Sequence, residues 1–579
     1  MTRSNYDKYP EVKVGGMDDQ CWSGWPEVVE VLADQSGDGV MVIECYVGVD
    51  VGEIVAAVGK HLPAATVFET QRAFHHPEEI ERKVEPFLGH GDPLFGSLSA
   101  LRMEDFLSPE KTAVLRKEID AVSGGPAVVI GPGASLVATG DLVVYAEMPR
   151  WEAQGRMRRN EMSNLGTNNG ELKWNLQYKR AFFNDWPVCD RLKLGLRQID
   201  FLLDTCVRGE PKLITREAAA KACETALARP FRVVPFFDPA PWGGQWMKRV
   251  MALPEDAPNY GWCFDCVLEE NSILFRFGET VVELPSMNVV LHDPVRLLGP
   301  RVHSRFGLSF PIRFDLLDTV GGGNLSFQVH PFTDYVQRHF GISYTQDESY
   351  YLLAVEEGSS IYLGLKEDVV PEEMIAALEA AQSQGVPFDD EKFVCQWPAK
   401  THDHYLIPAG TCHCSGAGTL VLEISATPNI FTFKLWDWGR LGLDGQPRPI
   451  NVERGKTNIA WERREKWVGR ELVNAVTELG TGDGWREERT GLHELEFIET
   501  RRHWFTGPVE HHTGGGVNVL NLIEGREAVV EGPTGAFEPF VVHYAETFIV
   551  PACVGPYTIR PCGESEGSTC ATLKAFVRA

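Results

Sequence analysis

Four side chains in the middle of the chain have types and spacings suited to holding a divalent cation. In Asn324-Leu325-Ser326-Phe327-Gln328-Val329-His330-Pro331, Gln328 and His330 stand two apart. On a strand, positions i and i+2 face the same side, so the amide and the imidazole project together. Pro331 then helps to end the strand. Glu348 follows in TQDESYYLLAV, sharing a face with Tyr350, Leu352 and Ala354. A carboxylate on so apolar a face is costly without a partner, and a metal ion is one such partner. Pro408-Ala409-Gly410-Thr411-Cys412-His413 places a second imidazole just past a tight turn. One amide oxygen, two imidazoles and one carboxylate suit Zn2+ with positions left open for water or substrate. Only one ligand is charged, so the loaded site stays near +1 and can polarise a substrate carbonyl. Cys412 and Cys414 flank His413, and alternation sends them to the opposite face, to pack and not to coordinate.

These residues need a β framework, and the texture from about 231 onward supplies one. ILFRFG, TVVELP, NLSFQVHP, SYYLLAV, IYLGL, HYLIPAG and TLVLEIS are short β-like runs separated by turn signals, as in a sandwich or barrel. One helix interrupts them: Pro371 suits its first turn, Met374, Ala377, Leu378 and Ala381 fall on one face, and Gly385 ends it. After about 500 a second set appears: VNVLNLI, AVVEG, PFVVHY, TFIVPA and KAFVRA. FIVPACVGPY echoes YLIPAGTCHC, which suggests an internal duplication. The second copy lacks Gln-x-His and a His after its turn, so it is expected to be structural.

The first 228 residues read differently. VMVIECYVGVD at 40–50, AVVIG at 127–131 and LVVYAE at 142–147 are strand-like, with helical stretches such as 109–121 between them. This alternation suggests a parallel α/β unit. With Arg-rich GRMRRN at 155–160 and a helical stretch over 190–228, the order resembles P-loop kinases of the uridine-kinase kind. A phosphate loop needs G-x-x-x-x-G-K-[ST], but Val47–Ile54 puts Glu53 at the lysine and Ile54 at the hydroxyl. The expectation is a kinase-like domain without ATP-dependent activity.

Composition narrows the function classes. A net charge of −26 over 579 residues disfavours a nucleic-acid partner. No apolar run is long enough for a bilayer, and MTRSNYDKYPEVKVGG has no signal-peptide core, so the cytoplasm is expected. The 13 cysteines are expected to be free thiols, and Cys263-x-x-Cys266 lacks the second pair of a zinc ribbon.

From 231 to 579 the chain resembles the type I phosphomannose isomerases. NLSFQVHP looks like that family's LS-x-Q-x-HP motif and YLIPAGTCHCSGAGTLVLEIS like its PAGT-x-H turn and following strand. WDWGRLGLDGQPRPI resembles YDWGR…DG-x-PR, and PFFDPAPWGG the family's opening. The resemblance implies a cupin (double-stranded β-helix, or jelly-roll) enzyme interconverting mannose 6-phosphate and fructose 6-phosphate. Its metal ligands fall on Gln328, His330, Glu348 and His413. Its substrate-phosphate positions point to Lys434, Arg448 and Ser326, and its catalytic positions to Lys434 and Arg440.

Three departures stand out. Gln346 replaces a lysine two residues before Glu348, Lys434 replaces an arginine, and Asn429 or a neighbour replaces an aspartate. Lys434 can hold phosphate as a point charge, whereas Gln346 cannot act as a base. Lys400, His402 and His404 lie on the strand leading to the metal turn, and His404 is the replacement base expected here. The chain thus reads as multidomain: α/β over 1–228, a metal-binding cupin with a helical insertion over 229–500, and a non-metal cupin over 501–579. Its expected partner is a hexose phosphate, with neither nucleic acid nor membrane. A sugar-phosphate-binding regulator and an isomerase of a non-phosphorylated sugar are the competing readings.

Overall fold

The computed structural model describes residues 4–426, 431–491 and 493–578. Its N-terminal unit is a seven-stranded sheet in the order Cys21–Ser23, Lys212–Thr215, Phe201–Asp204, Leu142–Glu147, Val40–Cys45, Ala127–Gly131, Thr66–Glu69. The last five of these run parallel. Val40–Cys45, Ala127–Gly131 and Leu142–Glu147 are nearly continuous apolar runs buried along their length, as strands covered on both faces must be. The helix Val51–His61 follows the first of them, capped by the Asp50 carboxylate, which accepts from Glu53 N at 3.0 Å. Glu53 accepts from Trp25 Nε1 at 2.7 Å and Gly209 N at 2.8 Å. The helix N-terminus that a phosphate loop would offer to an anion is thus occupied by the chain's own carboxylates.

The arm before this unit belongs elsewhere, which corrects the 1–228 boundary. Glu11–Lys13 pairs in parallel with Ser272–Phe277, and Arg232 Nη1 donates to Asp7 O at 2.8 Å. Backbone pairing, not sequence order, assigns residues 4–14 to the β-rich part.

The next unit is two facing antiparallel sheets. The six-stranded one runs His404–Ile407, Glu348–Val355, Thr419–Ser425, Arg313–Asp318, Trp262–Cys266, Phe236–Asp238. The five-stranded one runs Val394–Pro398, Ser360–Leu365, His413–Ser415, Phe327–Val329, Phe433–Trp436. The insertion helix Pro371–Gln384 buries Met374 and Leu378, and Gly385 adopts φ 68 at its end. A second pair of sheets begins at Thr477–Gly482 and Trp485–Gly491, which pair through Ile498–Phe505 into the strand Cys570–Val577. A boundary at 500/501 would cut Ile498–Phe505 within one continuous ladder, so the last unit starts earlier than expected.

The α/β unit docks on the first barrel through aromatics. Phe182 and Phe183, in a π-helical turn at Ala181–Asp185, lie 5.9 and 6.2 Å from Phe431 between ring centroids. Phe95 packs on Phe340 and Phe433, and Arg454 pairs with Asp92 at 2.8 Å. All 13 cysteines are free. Among the described residues, no helix is long and apolar enough to cross a membrane.

Candidate metal centre

Gln328 sits mid-strand, hydrogen-bonded in register with His413 on one side and Lys434 on the other. The turn before His413 is tied to the strand carrying His330: Gly410, at φ 91, donates its N–H to His330 O at 2.9 Å. Arg463 Nη1 reinforces the turn, donating to Pro408 O at 2.5 Å and Ala409 O at 2.7 Å. Glu348 opens the neighbouring strand of the other sheet.

These elements bring all four expected ligands together. His330 Nε2 lies 3.0 Å from Glu348 Oε2, and His413 Nε2 lies 2.9 Å from Glu348 Oε1. Gln328 Nε2 is 3.2 Å from His413 Nε2, and a half-turn of that amide presents its oxygen instead. The two imidazoles and the carboxylate are fully buried; Gln328 is 8% exposed. Behind them, His330 Nδ1 donates to Phe431 O at 3.2 Å and His413 Nδ1 to Thr411 O at 2.8 Å. Those bonds fix both rings with Nε2 inward. Cys412 and Cys414 are buried in the surrounding apolar core.

Burial alone would raise the Glu348 carboxyl, but the charge of His330 and the contacts of both imidazoles outweigh it and hold it below its ordinary range. Burial would lower His330, and Glu348 reverses this and raises it. Burial prevails at His413, which is lowered. His413 Nε2 therefore faces a carboxylate oxygen with a lone pair, an arrangement that calls for a cation between them. His330 Nε2 and Glu348 Oε1 lack aligned hydrogen-bond partners despite full burial. Orphaned donors around one point, with neutral nitrogen and one carboxylate, fit a divalent ion.

Beside this cluster lies a cationic group. Lys434, cross-strand from Gln328, is partly exposed and has no hydrogen-bond or ion-pair partner among the described residues. Burial first, then the neighbouring Arg448, pushes its amine down to about 7. Arg440, Arg448 and Ser326 converge on Asp437. Arg440 Nη2 pairs with it at 2.5 Å, Arg448 Nη1 pairs with its other oxygen, and Ser326 Oγ donates at 3.0 Å. Arg440 also donates to Asn324 O at 2.6 Å, which marks it as scaffolding for the motif strand.

His404 is not part of this site. It pairs in register with Tyr351, one residue out of phase with Glu348 and Tyr350, so it points to the other side of its sheet. Burial, then Arg502, pushes it down to about 3. His402, expected on the same strand, instead adopts φ 71 in the turn before it and contacts Tyr351 Oη and Glu524. Gln346 does reach the site, its Nε2 donating to Glu348 Oε2 at 2.8 Å. Asn429 lies outside the described residues.

Two carboxyls escaped the sequence reading. Glu423 and Asp315 align with each other and with Tyr350 across three strands, on the inner face that carries Glu348. Burial, and for Glu423 then Glu348, raises both well above the carboxylate range. Glu423 Oε1 lies 3.3 Å from Gln346 Nε2, while Asp315 Oδ1 and Tyr350 Oη are buried without partners. The lone acid inside TLVLEIS, and Asp315 between Phe314 and Leu316 in IRFDLLD, were the available signals.

The fold and site define a two-barrel β protein with one metal-type pocket and an added α/β unit. A family profile described as a domain of unknown function (DUF8485) matches residues 24–228, which gives no support to a kinase there. The "Probable mannose-6-phosphate isomerase GmuF" of Bacillus subtilis (strain 168) is 29% identical over 148 residues, 26% of this chain and 44% of that protein. The "Mannose-6-phosphate isomerase" of Streptococcus mutans serotype c is 29% identical over 151 residues, 26% of this chain and 45% of that protein. The chain thus spans less than half the length of these curated relatives. The solved mannose 6-phosphate isomerase of Bacillus subtilis aligns with TM-score 0.49 and 18% identity, covering 60% of this chain and 99% of that one. Over its matched part, the chain is similar to mannose-6-phosphate isomerases.

Proposed function

We propose that the Gln328, His330, Glu348 and His413 pocket holds one divalent ion, with Zn2+ best suited to the donors. The chain then acts as an aldose–ketose isomerase on mannose 6-phosphate and fructose 6-phosphate. The carrying observation is a fully buried His/Glu/His cluster beside Gln328, which pairs in register with His413 and with Lys434, a residue whose amine has no partner among the described residues. A bound ion would supply Lewis acidity toward the sugar carbonyl. Lys434 and Arg448 hold the phosphate, with Asp437 orienting Arg448. Isomerisation moves a proton between C1 and C2 through an enediol, so a group on the pocket wall must carry it. His404 faces away and Gln346 is an amide without basicity, which leaves Glu423, on the inner face beside Glu348; to act as the base it must ionise, which a cation offsetting the Glu348 charge would favour. The α/β unit contributes no ATP chemistry, because Asp50 and Glu53 fill the place of a phosphate.

Gln346 in place of a basic residue favours one other reading, a sugar-phosphate-binding protein without turnover. A coupled assay of fructose 6-phosphate formation, on protein chelated and then restored with zinc, separates the two. Zinc-dependent turnover is expected; none on any hexose phosphate would sink the isomerase. Turnover of free mannose at an equal rate would instead shift the substrate to a non-phosphorylated sugar.

A further inference from the structure

The C-terminal barrel has a polar interior of its own. Its core includes Phe505, Leu520, Leu522 and Tyr557. His503 lies two residues before Phe505 on one strand, and His511 pairs in register with Tyr557. Thr572 and Lys574 pair with Leu522 and Leu520. Alternation and register therefore send all four polar side chains inward, to the same barrel lumen.

All four are buried: Thr572 fully, with His503, His511 and Lys574 only 3, 5 and 7% exposed. Both ring nitrogens of His511, Nδ1 of His503 and Oγ1 of Thr572 have no hydrogen-bond partner among the described residues. The Lys574 ammonium has neither a hydrogen bond nor an ion pair among the described residues. The nearby acids are committed elsewhere: Glu487 to Arg501 at 3.1 Å and His503 at 3.0 Å, Glu499 to Arg501 at 2.7 Å. Native interiors rarely leave so many polar groups unpaired on one wall, and the Lys574 ammonium is matched only by the face of the Phe576 ring at 5.7 Å and by the field of Glu487 and Glu499. Water could satisfy these groups one by one, whereas one hydroxylated anion would satisfy the hydroxyl, the imidazoles and the ammonium's donors together. A metal ion does not fit, since no third ligand joins the histidines within coordinating reach among the described residues, and Lys574 would repel it.

We propose that this lumen is a second small-molecule site for a hydroxylated anion, a sugar phosphate or a sugar acid. Lys574 takes the charge, and His503, His511 and Thr572 take the hydroxyls. The inference does not depend on the metal site, and the two can fail separately.

The test is calorimetric titration of the full chain with mannose 6-phosphate, gluconate and mannose. A Lys434→Met background removes the phosphate partner of the first barrel. Saturable binding of at least one of the two anions, and weaker binding of mannose, is expected to persist in that background. Adding Lys574→Met or His511→Ala should weaken it 10- to 100-fold, the scale of one charge-assisted hydrogen bond. Whichever anion binds more tightly identifies the class. Thermal unfolding guards against misfolding: Lys574→Met alone removes a buried ammonium that makes no hydrogen bond among the described residues and should melt close to the wild type without ligand. No anion binding in the Lys434→Met background, binding unchanged by Lys574→Met, or mannose binding as tightly as the anions would each overturn the proposal.

Discussion

Replacing His413 by alanine tests the metal reading most directly. His413 is fully buried, with Nε2 2.9 Å from Glu348 Oε1 and Nδ1 bonded to Thr411 O. Its loss removes one of four donors and one close contact of a buried carboxylate. A hydrogen bond to a charged group is worth about 1.5–3 kcal/mol, so the ion-free protein should lose about 2–4 kcal/mol once the cavity is included. The larger effect is on the ion. At 100 times its Kd, a bound ion stabilises the native state by about 2.7 kcal/mol. For a cooperative unit of about 200 residues, each kcal/mol moves Tm by roughly 2–4 °C. Chelated wild type should therefore gain about 5–10 °C on adding zinc, and His413→Ala about 1 °C or less. Elemental analysis should find near one equivalent in the wild type and almost none in the variant. His404→Ala is the control: equally buried but facing the other side of its sheet, it should lower Tm through its cavity yet leave the zinc-dependent gain intact. A His413→Ala protein that keeps its ion and its full gain would refute the assignment, as would a wild type indifferent to zinc.

Lys434→Met should raise KM for a hexose phosphate about 10- to 100-fold without altering metal content, since it removes a charge and not a ligand; steady-state kinetics beside elemental analysis checks this. Gly410→Ala should cost about 2–4 kcal/mol and weaken metal binding, measured by denaturation and zinc titration, because φ is +91° and its Cβ would stand 2.4 Å from the Phe332 ring. Glu44 accepts from Gly133 N at 2.6 Å and Ser135 N at 2.8 Å, and burial pushes its carboxyl up to about 7. The folded state thus holds a proton that the unfolded chain releases near pH 4.5. Its stabilisation is complete below that pH and is lost as pH rises through 7. Urea denaturation of Glu44→Gln between pH 5 and 7 should show a pH slope altered by up to about 1.4 kcal/mol per unit, with less stability lost than in the wild type; identical slopes would count against it.

The metal-type cluster was legible because its information is local. Q-x-H fixes a shared face, and a Pro-Ala-Gly turn fixes where His413 re-enters the sheet. The role assigned to His404 failed because a period of two says which residues share a face, not which face lines the pocket. That depended on its register with Tyr351 and on the positive φ of His402. Glu423 and Asp315 were hidden for a related reason. Glu423 is one acid in an apolar strand and Asp315 shares its strand with Arg313 and Asp318, and only the pairing of three strands shows the two beside each other. The start of the second barrel was hidden because Thr477–Gly482 is exposed almost throughout and carries no apolar alternation. The arm at Glu11–Lys13 is too short to announce a strand, and a parallel pairing some 260 residues away leaves no local trace.

The α/β unit gains a role from its contact and not from a phosphate loop. His330 is oriented by the Phe431 carbonyl, and the Phe431 ring rests on Phe340 of the barrel and on Phe182 and Phe183 of the α/β unit. Bonds of this kind behind a ligand typically govern 10- to 100-fold in metal affinity. A π-turn places two consecutive aromatic side chains where an uninterrupted α-helix would rotate one away. The unit that supplies no obvious chemistry therefore packs behind the first imidazole of the cluster, and loosening that aromatic contact should be felt at His330 before it is felt at Glu348 or His413, whose supports come from within the barrel.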